Sequence, residues 1–385
     1  MNAGPLEGLI VVDLTRALAG PHAAMMLGDL GARVIKVEHP VGGDDTRGWG
    51  PPFVDGHSTY FLSANRNKES ITLDFREDAD RVLLEKLIVR ADIVLENFRP
   101  GTLDSLGLGF ERLQELNPRL IQLSISGFGH DGPEASRAGY DQIAQGEAGL
   151  MSLTGTDADH PQRVGVPISD LLAGMYGAYG ILAAVLERER TGRGQLVRTS
   201  LLAATVGVHG YQGTRWTVAG EVGHAQGNHH PSITPYGYFR TRDGGVQLSV
   251  GSEGIWKRFA PIVGLDAADS RWATNPLRVG RREELVGIVE TAFAAKATID
   301  VLAELERAGV PAGRVRTLDE VYSWEQTRSQ GLVIDVEHVE LGTVSIPGPP
   351  LRFFDAEGAE QTKTEHAAPP VLGQHNQSVR EWLDG

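Results

Sequence analysis

The stretch VGVPISDLLAGMYGAYGILAAVLERERTGRGQ, residues 164–195, decides the fold because it joins a long apolar helix pattern to one carboxylate near its start. Apolar residues recur at helical spacing from Leu171 to Leu186. Small residues repeat near one face of this helix: Gly174, Gly177, Ala178 and Ala184. Another backbone can approach such a face closely. The run is shorter than the roughly 18 to 20 residues of a membrane span, so we predict a buried core helix.

Asp170 stands where this helix is predicted to begin. The positive end of a helix dipole favours an ionised carboxylate, which is the nucleophilic form. Aspartate is also among the preferred N-cap residues. The residues alone therefore leave two interpretations of Asp170 open, a structural cap and a nucleophile.

Upstream of this helix, short apolar strands alternate with helices, a pattern typical of a parallel α/β sheet. We predict strands at Leu9–Leu14, Arg33–Glu38, Ile93–Glu96 and Leu120–Ser126. Helices are predicted between them at Pro21–Leu30, Asp78–Arg90 and Phe110–Leu116. Ligands of such sheets bind beyond the carboxyl ends of the strands. The polar residues of interest follow those ends.

Downstream, the pattern changes to a hairpin followed by helices. Strands are predicted at Tyr236–Thr241 and Val246–Val250, and helices at Glu253–Val263, Arg282–Ala294 and Thr298–Ala308. The tail after Leu332 has no long periodic helix. We therefore predict a large α/β domain over residues 1–200 that is completed by 333–385, a linker over 201–234, and a small α+β domain over 235–332.

Composition narrows the class of protein. The 385 residues carry a net charge of −14, which argues against a nucleic-acid partner because such binding draws most of its affinity from a basic field. The chain has no cysteine, which excludes disulfides, thiolate metal sites and a cysteine nucleophile. The N-terminal residues lack a secretory pattern, so we expect a cytoplasmic protein that does not bind membranes.

Seven ordered blocks of the sequence point to one family. They are LEGLIVVDLTRALAGP (6–21), LGDLGARVIKVEHP (27–40), NRNKESITLDF (65–75), ADIVLENFRPGTLDSLGL (91–108), NPRLIQLSISGFGHDGP (117–133), GYDQIAQGEAGLMSLTG (139–155) and the Asp170 segment. Together they resemble the class III CoA-transferases of the formyl-CoA and carnitine CoA-transferase type. The same family contains the alpha-methylacyl-CoA racemases.

The resemblance implies an architecture and a set of site residues. The large domain would be Rossmann-like, and two chains would interlock as a homodimer. CoA or acyl-CoA would be a substrate, with no metal and no permanently bound cofactor. The residues implied for CoA binding are Arg16, Ala19, His39, Asn65, Lys68, Asn97, Phe98, Arg99 and Tyr140. Those implied for the acyl substrate are Leu18, His230 and Tyr236.

The resemblance also implies that Asp170 is the catalytic nucleophile of a CoA-transferase, which moves CoA from an acyl-CoA to a carboxylic acid. Asp170 would attack the donor thioester to form a mixed anhydride, and the CoA thiolate would then convert it to an aspartyl-CoA thioester. Backbone amides of the Gly127–Gly129 loop or of the helix start would stabilise the oxyanions. Four basic residues would suit a dicarboxylate if they lined the cleft: Arg66, Arg99, Arg137 and Arg240.

Other interpretations remain at this point. A racemase needs a histidine where this chain has Tyr140, and an unperturbed tyrosine with a pKa of about 10 is a poor base at neutral pH. An NAD-dependent oxidoreductase is suggested by Glu38, about 20 residues after the first loop, but RALAGP lacks the G-x-G-x-x-G pattern. A noncatalytic CoA-binding scaffold would bind without turnover. His224, His229 and His230 suggest a metal, but their spacing does not support one.

Overall fold

The structure is a computed structural model that describes residues 4–385. Six of its strands form a parallel sheet. The strands of the whole described chain are β1 Ile10–Asp13, β2 Arg33–Glu38, β3 Phe53–Val54, β4 His57–Ser58, β5 Lys68–Thr72, β6 Ile93–Glu96, β7 Ile121–Ser126, β8 Leu196–Ser200, β9 Tyr236–Thr241, β10 Gly244–Ser249, β11 Ala312–Arg314, β12 Val333–His338 and β13 Gly342–Pro347.

Helices connect and cover these strands. They are α1 Ala19–Asp29, α2 Thr59–Ser63, α3 Asp78–Arg90, α4 Thr102–Ser105, α5 Phe110–Leu116, α6 Asp141–Glu147, α7 Ile168–Thr191, α8 Leu201–Gly207, α9 Gly210–Ala219, α10 Glu253–Phe259, α11 Asn275–Val279, α12 Arg282–Phe293, α13 Thr298–Arg307, α14 Leu318–Ser323, α15 Glu325–Ser329 and α16 Asn376–Asp384.

The large sheet is buried on both faces. Its strand order is β5-β2-β1-β6-β7-β8, and every neighbouring pair is parallel. Successive residues of a strand point to opposite faces, so Val11 packs into one core with α1 and α7 while Val12 packs into the other with α3. The strand order changes direction between β1 and β6. Loops that leave these two strands diverge there and open a crevice.

Helix α7 confirms the close packing expected from its small residues. A Cβ atom placed on Gly174 would lie 2.6 Å from the carbonyl oxygen of Ala19, so only glycine allows α1 and α7 to approach this closely. α7 is longer than predicted and is the one helix among residues 4–385 that is long and apolar enough to cross a membrane. Core helices meet the same criterion, and residues on this helix belong to the core that also contains α1.

The start of α7 corrects the expectation for Asp170. The helix begins at Ile168, so Pro167 occupies the N-cap position and Asp170 is the third helical residue. Asp170 is therefore not an N-cap residue. Its side chain projects from the first turn, where it satisfies no backbone donor of its own helix.

The chain divides into two compact units. Among the described residues, unit 1 contains 4–150, 164–220 and 325–385, and unit 2 contains 151–163 and 221–324. The segment predicted as a linker over 201–234 instead begins with two helices, α8 and α9, that belong to unit 1. The tail ends in the short helix α16, whose Val379 and Leu383 belong to the same core as residues of α3.

Unit 2 is built on an antiparallel sheet in the order β11-β10-β9. The predicted hairpin is present as β9 and β10, paired from Tyr236–Ser249 to Thr241–Gly244. Helices α10, α12 and α13 supply aromatic and aliphatic side chains to its core, which include Trp256, Phe259, Phe293 and Val301. The core is separate from both cores of unit 1.

Candidate active site

A cavity of about 290 Å³ lies beyond the carboxyl ends of β1, β6 and β7 in unit 1. The crevice expected between β1 and β6 is part of it, because the loops after both strands line it. Eight of the predicted site residues meet there: Arg16, Leu18, Ala19, Asn97, Phe98, Arg99, Tyr140 and Asp170. Three arginines, Arg16, Arg99 and Arg137, line the same cavity as Asp170.

Asp170 is a carboxylate without a partner. Among residues 4–385, no cation forms an ion pair with it and no group donates a hydrogen bond to it. Burial, and then the neighbouring carboxylate of Asp141, raise the pKa of Asp170 to about 7. Burial and the charge of Asp141 therefore outweigh the helix dipole, which was expected to favour the ionised form. A carboxyl group with this pKa exists in both forms at neutral pH, which suits a group that must react as an anion.

Asp141 is a site residue that the sequence reasoning missed. It is the first residue of α6, and its Oδ1 accepts hydrogen bonds from the backbone N–H of Ser169 at 2.8 Å and of Asp170 at 3.4 Å. Its Oδ2 accepts from Gln145 Nε2 at 2.7 Å. Asp141 thus caps α7 from a different helix. The signal was its place directly after Tyr140 in the GYDQ motif, but the 28-residue separation hides the contact.

This capping also corrects the expected source of oxyanion donors. The N–H groups of Ile168 and Leu171 bond to the Val166 and Pro167 carbonyls, and the two N–H groups between them, of Ser169 and Asp170, bond to Asp141. The start of α7 therefore has no amide left to offer a substrate. The other predicted source, Gly127, lines the cavity, and a Cβ on it would lie 2.7 Å from the Cα of Gly139.

Two aromatic residues that were not predicted stand near the two aspartates. Trp49 lines the cavity and makes an edge contact with Tyr60, with ring centroids 5.1 Å apart. Burial, together with the charges of Asp170 and Asp141, raises the pKa of Tyr60 to about 12. The Tyr60 hydroxyl therefore keeps its proton at all physiological pH values and is a hydrogen-bond donor.

The amide of Asn97 fixes the loop after β1. Asn97 Oδ1 accepts from the Arg16 N–H at 2.9 Å, and Asn97 Nδ2 donates to the Arg16 carbonyl at 2.7 Å. Ala17, which follows Arg16, has a φ of 65°, a left-handed conformation that is unfavourable for a residue with a side chain. Its N–H donates to Asp44 Oδ1 at 3.2 Å. These bonds hold a strained loop beside Asp170.

Asn65 and Lys68 lie in a buried ionic cluster, and the structure does not present them to a ligand as expected. Lys68 Nζ donates to Asp13 Oδ2 at 2.9 Å, to the Pro21 carbonyl at 2.8 Å and to Asn65 Oδ1 at 2.9 Å. Its side chain is 0% exposed. Burial lowers the pKa of Lys68 to about 8, although Asp13 opposes the shift. All three protons of the ammonium group have partners, so its role here is to join β5 to β1.

Two further basic residues border a second cavity, of about 490 Å³, in the same unit. His39 was predicted and lies there, and Arg76 was not predicted. Arg16 and Phe98 line both cavities, so the two spaces adjoin. The Arg16 guanidinium lies over the Phe98 ring, 5.7 Å from its centroid.

Glu38 ends β2, as an NAD-binding fold would require, but its carboxylate is held by other residues of the protein. It is 5% exposed, accepts two hydrogen bonds from Arg47 at 2.7 Å, and accepts a third from Ser70 Oγ at 2.6 Å. Its oxygens are therefore engaged within the protein and are not free for a ribose hydroxyl. The expectation that Glu38 binds ribose is not met.

The two remaining predicted residues, His230 and Tyr236, are in unit 2, where their rings stack with centroids 5.1 Å apart. Burial, and then the positive charge of Arg282, lower the pKa of His230. Within residues 4–385 no group of three or more histidine, aspartate or glutamate side chains is placed to hold a metal ion.

Comparisons with a family model and with known proteins agree on one family. Residues 6–376 match the model of CoA-transferase family III. The chain is 40% identical to "Succinyl-CoA:glutarate CoA-transferase" of Mus musculus, over 97% of this chain and 85% of that protein. It is also 40% identical to "Succinate--glutarate CoA-transferase" of Agrobacterium fabrum, over 99% of this chain and 96% of that one.

A solved structure agrees with the sequence relatives. The crystal structure of a CAIB/BAIF family protein from Brucella suis has a TM-score of 0.87 and 40% sequence identity, and the alignment covers 99% of this chain and 100% of that one. The α/β fold with a parallel central sheet is thus shared with a solved member. The chain belongs to CoA-transferase family III and is a CoA-transferase.

Proposed function

We propose that this enzyme transfers CoA between dicarboxylic acids and that Asp170 carries the acyl group during turnover. The observation that carries the proposal is an unpaired carboxylate with a pKa of about 7 on the rim of a cavity that also contains arginines. A carboxylate that serves the scaffold would have a cation or hydrogen-bond donors, as Asp13 has. Asp170 has neither among the described residues.

The two adjoining cavities support CoA as the ligand. CoA is long and carries three phosphates, so it needs an extended cleft with several cations. The second cavity offers His39 and Arg76, and the first offers Arg16, Arg99 and Arg137. The strand order of unit 1 is that of a doubly wound sheet, which supports the Rossmann-like description of this domain. CoA would run from the second cavity past Phe98, with its thioester toward Asp170.

Four steps would complete one transfer. The ionised carboxylate of Asp170 attacks the donor thioester, so that a mixed anhydride forms and the CoA thiolate leaves. The thiolate attacks the aspartyl carbonyl, which releases the donor acid and leaves an aspartyl-CoA thioester. The acceptor carboxylate attacks that thioester, forms a second anhydride and expels the thiolate. The thiolate then attacks the acceptor's acyl carbon, which frees Asp170 and yields the new acyl-CoA.

The backbone near Gly127 is the proposed source of oxyanion stabilisation. The helix start is excluded from that role because its amides are bonded to Asp141 and to nearby carbonyls. Gly127 lies on the cavity wall together with Asp170. A donor of this kind is typically worth about 100- to 1,000-fold in rate.

A dicarboxylate is supported by two of the four basic residues considered from the sequence. Arg99 and Arg137 line the cavity with Asp170. Arg66 is instead buried in an ion pair with Asp29, and Arg240 lies on β9 in unit 2. A second carboxylate on the substrate could pair with Arg99 while the first reacts. The names of the two curated relatives, both of which include succinate or succinyl-CoA and glutarate, agree with this substrate class.

A homodimer is proposed because two helices of unit 1 carry large apolar side chains that are exposed in the single chain. Helix α9 has no buried residue in the single chain, and its Trp216 is 58% exposed and Val218 82% exposed. On α7, Tyr179 and Leu186 are each more than 70% exposed. Exposed large apolar side chains of this kind are typical of protein interfaces. A second copy of the chain would cover them, in an interlocked arrangement like that which the family resemblance implies.

Light scattering tests the assembly. We expect a particle of twice the 41.5 kDa chain mass that does not dissociate on dilution to micromolar concentration. A folded monomer at that concentration would overturn the dimer. It would leave the proposed chemistry of Asp170 untouched.

Trapping of the acyl-enzyme tests the chemistry. Wild-type protein is incubated with succinyl-CoA and then with hydroxylamine, which should convert the acylated aspartate to a hydroxamate. We expect a mass shift on the peptide that contains Asp170. The same peptide from a sample without acyl-CoA is the control, and its equal labelling would contradict the mechanism. A panel of acyl-CoA donors and carboxylic acids, analysed by mass spectrometry, then identifies the substrates.

A further inference from the structure

A buried hydrogen-bonded group behind the cavity has no part in the proposed chemistry. It consists of Glu96 at the end of β6, Ser124 on β7 and His130 in the loop that follows β7. Glu96 is 7% exposed and Ser124 is 5% exposed. No cation forms an ion pair with Glu96 among residues 4–385, although it lies two residues from Phe98 on the cavity wall.

The donors in this group can be assigned from its geometry. Ser124 Oγ hydrogen-bonds to Glu96 Oε1 and lies 2.6 Å from His130 Nε2. A hydroxyl has one proton to donate, and an ionised carboxylate can only accept. With Glu96 ionised, Ser124 donates to Glu96, and His130 Nε2 donates to Ser124. The chain of donors runs from His130 through Ser124 to Glu96.

The second oxygen of Glu96 bonds to the backbone of a residue that lines both cavities. Glu96 Oε2 accepts a hydrogen bond from the backbone N–H of Phe98 at 2.9 Å. Phe98 lines both cavities, and the amide of Asn97, beside it, bonds in both directions to the Arg16 backbone. The position of the Glu96 carboxylate is thereby transmitted to the two loops that form the junction of the cavities.

Burial and the surrounding groups act on the pKa values of Glu96 and His130 in opposing directions. Burial raises the pKa of Glu96, with Asp104 adding to the rise, while the Ser124 and Phe98 hydrogen bonds and the charge of Arg198 oppose it. Burial and Arg198 lower the pKa of His130, and Asp131 opposes this. Since no cation among residues 4–385 forms an ion pair with the Glu96 carboxylate, its orientation depends on the two hydrogen bonds that it accepts.

We propose that Glu96 is a positioning residue for CoA binding: its carboxylate holds the Asn97–Phe98 turn in the shape that accepts CoA, and Ser124 and His130 hold the carboxylate. The inference rests on the proposed placement of CoA in the two cavities. It assigns Glu96 no contact with the reacting atoms. Its substitution should therefore weaken binding and leave the chemical step almost unchanged.

Three variants test this assignment by isothermal titration with CoA at pH 8. Glu96→Ala removes the acceptor of the buried Phe98 N–H and should raise the dissociation constant of CoA about tenfold. Glu96→Gln keeps an acceptor oxygen and should remain within about threefold of wild type. Asp104→Asn removes a nearby negative charge without touching Phe98, and should remain within about twofold.

Turnover of succinyl-CoA with glutarate separates binding from chemistry. For Glu96→Ala we expect the KM for the CoA thioester to rise about tenfold while kcat changes less than about twofold. Unchanged CoA affinity in Glu96→Ala, or an equal loss in Asp104→Asn, would overturn the inference. Loss of affinity in Glu96→Gln as great as in Glu96→Ala would also overturn it.

A substitution of Ser124, which hydrogen-bonds to Glu96, tests the proposal if Glu96→Ala does not fold. Ser124→Ala removes the hydroxyl that orients the carboxylate, and should raise the CoA dissociation constant about threefold with kcat unchanged. Wild-type affinity in a folded Ser124→Ala variant would contradict the proposal. A wild-type protein that binds no CoA would overturn the proposed function and this inference together, whereas normal wild-type binding confines any failure to Glu96.

Discussion

Asp13 is the last residue of β1, and Asp170 lies in the first turn of α7. Both belong to unit 1, but their surroundings are opposite. Asp13 is fully buried, yet Lys68 and Lys36 and the Thr15 hydroxyl surround it. Burial raises its pKa, but the two lysines outweigh burial, and the pKa lies below its usual value. Asp170 is less buried and has no such partners, and its pKa rises to about 7.

The difference separates a structural charge from a chemical one. A carboxylate with a lowered pKa and satisfied oxygens is stable as an anion and is a poor nucleophile. A carboxylate with a raised pKa and unsatisfied oxygens is a better one, because its lone pairs are not engaged. Burial alone does not distinguish the two. The presence of cations and donors does, and it can be altered by mutation.

The largest expected effect is the loss of turnover in Asp170→Asn. The amide has nearly the same shape but cannot form an anhydride, so CoA transfer should fall on the order of 10⁴-fold or more. CoA binding should persist, as measured by titration calorimetry. Substantial turnover in this variant, without a labelled peptide in the wild type, would place Asp170 with the structural carboxylates.

The next largest effect is the loss of stability when the Asp13 cluster is broken. Lys68→Met removes a donor from three buried acceptors and leaves Asp13 less compensated, which should cost about 3 to 5 kcal/mol of unfolding free energy. Urea denaturation followed by circular dichroism measures it. Arg112→Met, which breaks exposed ion pairs with Glu85 and Glu115, is the matched control and should change stability little. Equal effects in both variants would contradict the comparison.

Much of the scaffold behind this contrast could be predicted from the sequence. The bounds of β2, β6, α3 and α5 agree with the predicted ones, because each is a short apolar pattern between clear turn residues. The helices α8 and α9 were missed because their segment is rich in glycine, threonine and histidine. α9 buries nothing within its own chain, so no apolar face pointed inward to reveal it.

The site could be predicted only where one segment carries the signal. The loops after β1 and β6 were identified from strand ends, and the family resemblance singled out Asp170. The roles of Asp141 and Lys68 depend on contacts with residues 28 and 55 positions away, which a motif does not encode. The family resemblance assigned Lys68 to CoA binding, and its bond to Asp13 becomes apparent only when the structure places the two residues together.

A smaller effect is expected from the coupling between the two aspartates. Only the ionised form of Asp170 attacks, so the rate of transfer should rise as pH increases through its pKa of about 7. Asp141→Asn removes the neighbouring charge while its oxygen can still accept from the Ser169 N–H. The pKa of Asp170 should then fall and the profile should move to lower pH, with a gain at pH 6 of at most about tenfold. A profile that stays in place would show that burial alone sets this pKa.

The smallest expected effect is that of Tyr140→His. Tyr140 lines the cavity with its side chain 64% exposed, so a histidine there would be solvated and not held against the alpha carbon of an acyl-CoA. General acid-base catalysis requires the base within hydrogen-bond reach of the proton that it removes. We therefore expect CoA transfer to fall by less than about tenfold and alpha-proton exchange to stay at the background rate. Exchange is measured as deuterium uptake into 2-methylacyl-CoA, with Tyr140→Phe as the control. If wild-type protein exchanged this proton as fast as it transfers CoA, Asp170 would serve as a base, and its raised pKa would have to be explained by proton abstraction instead of acylation.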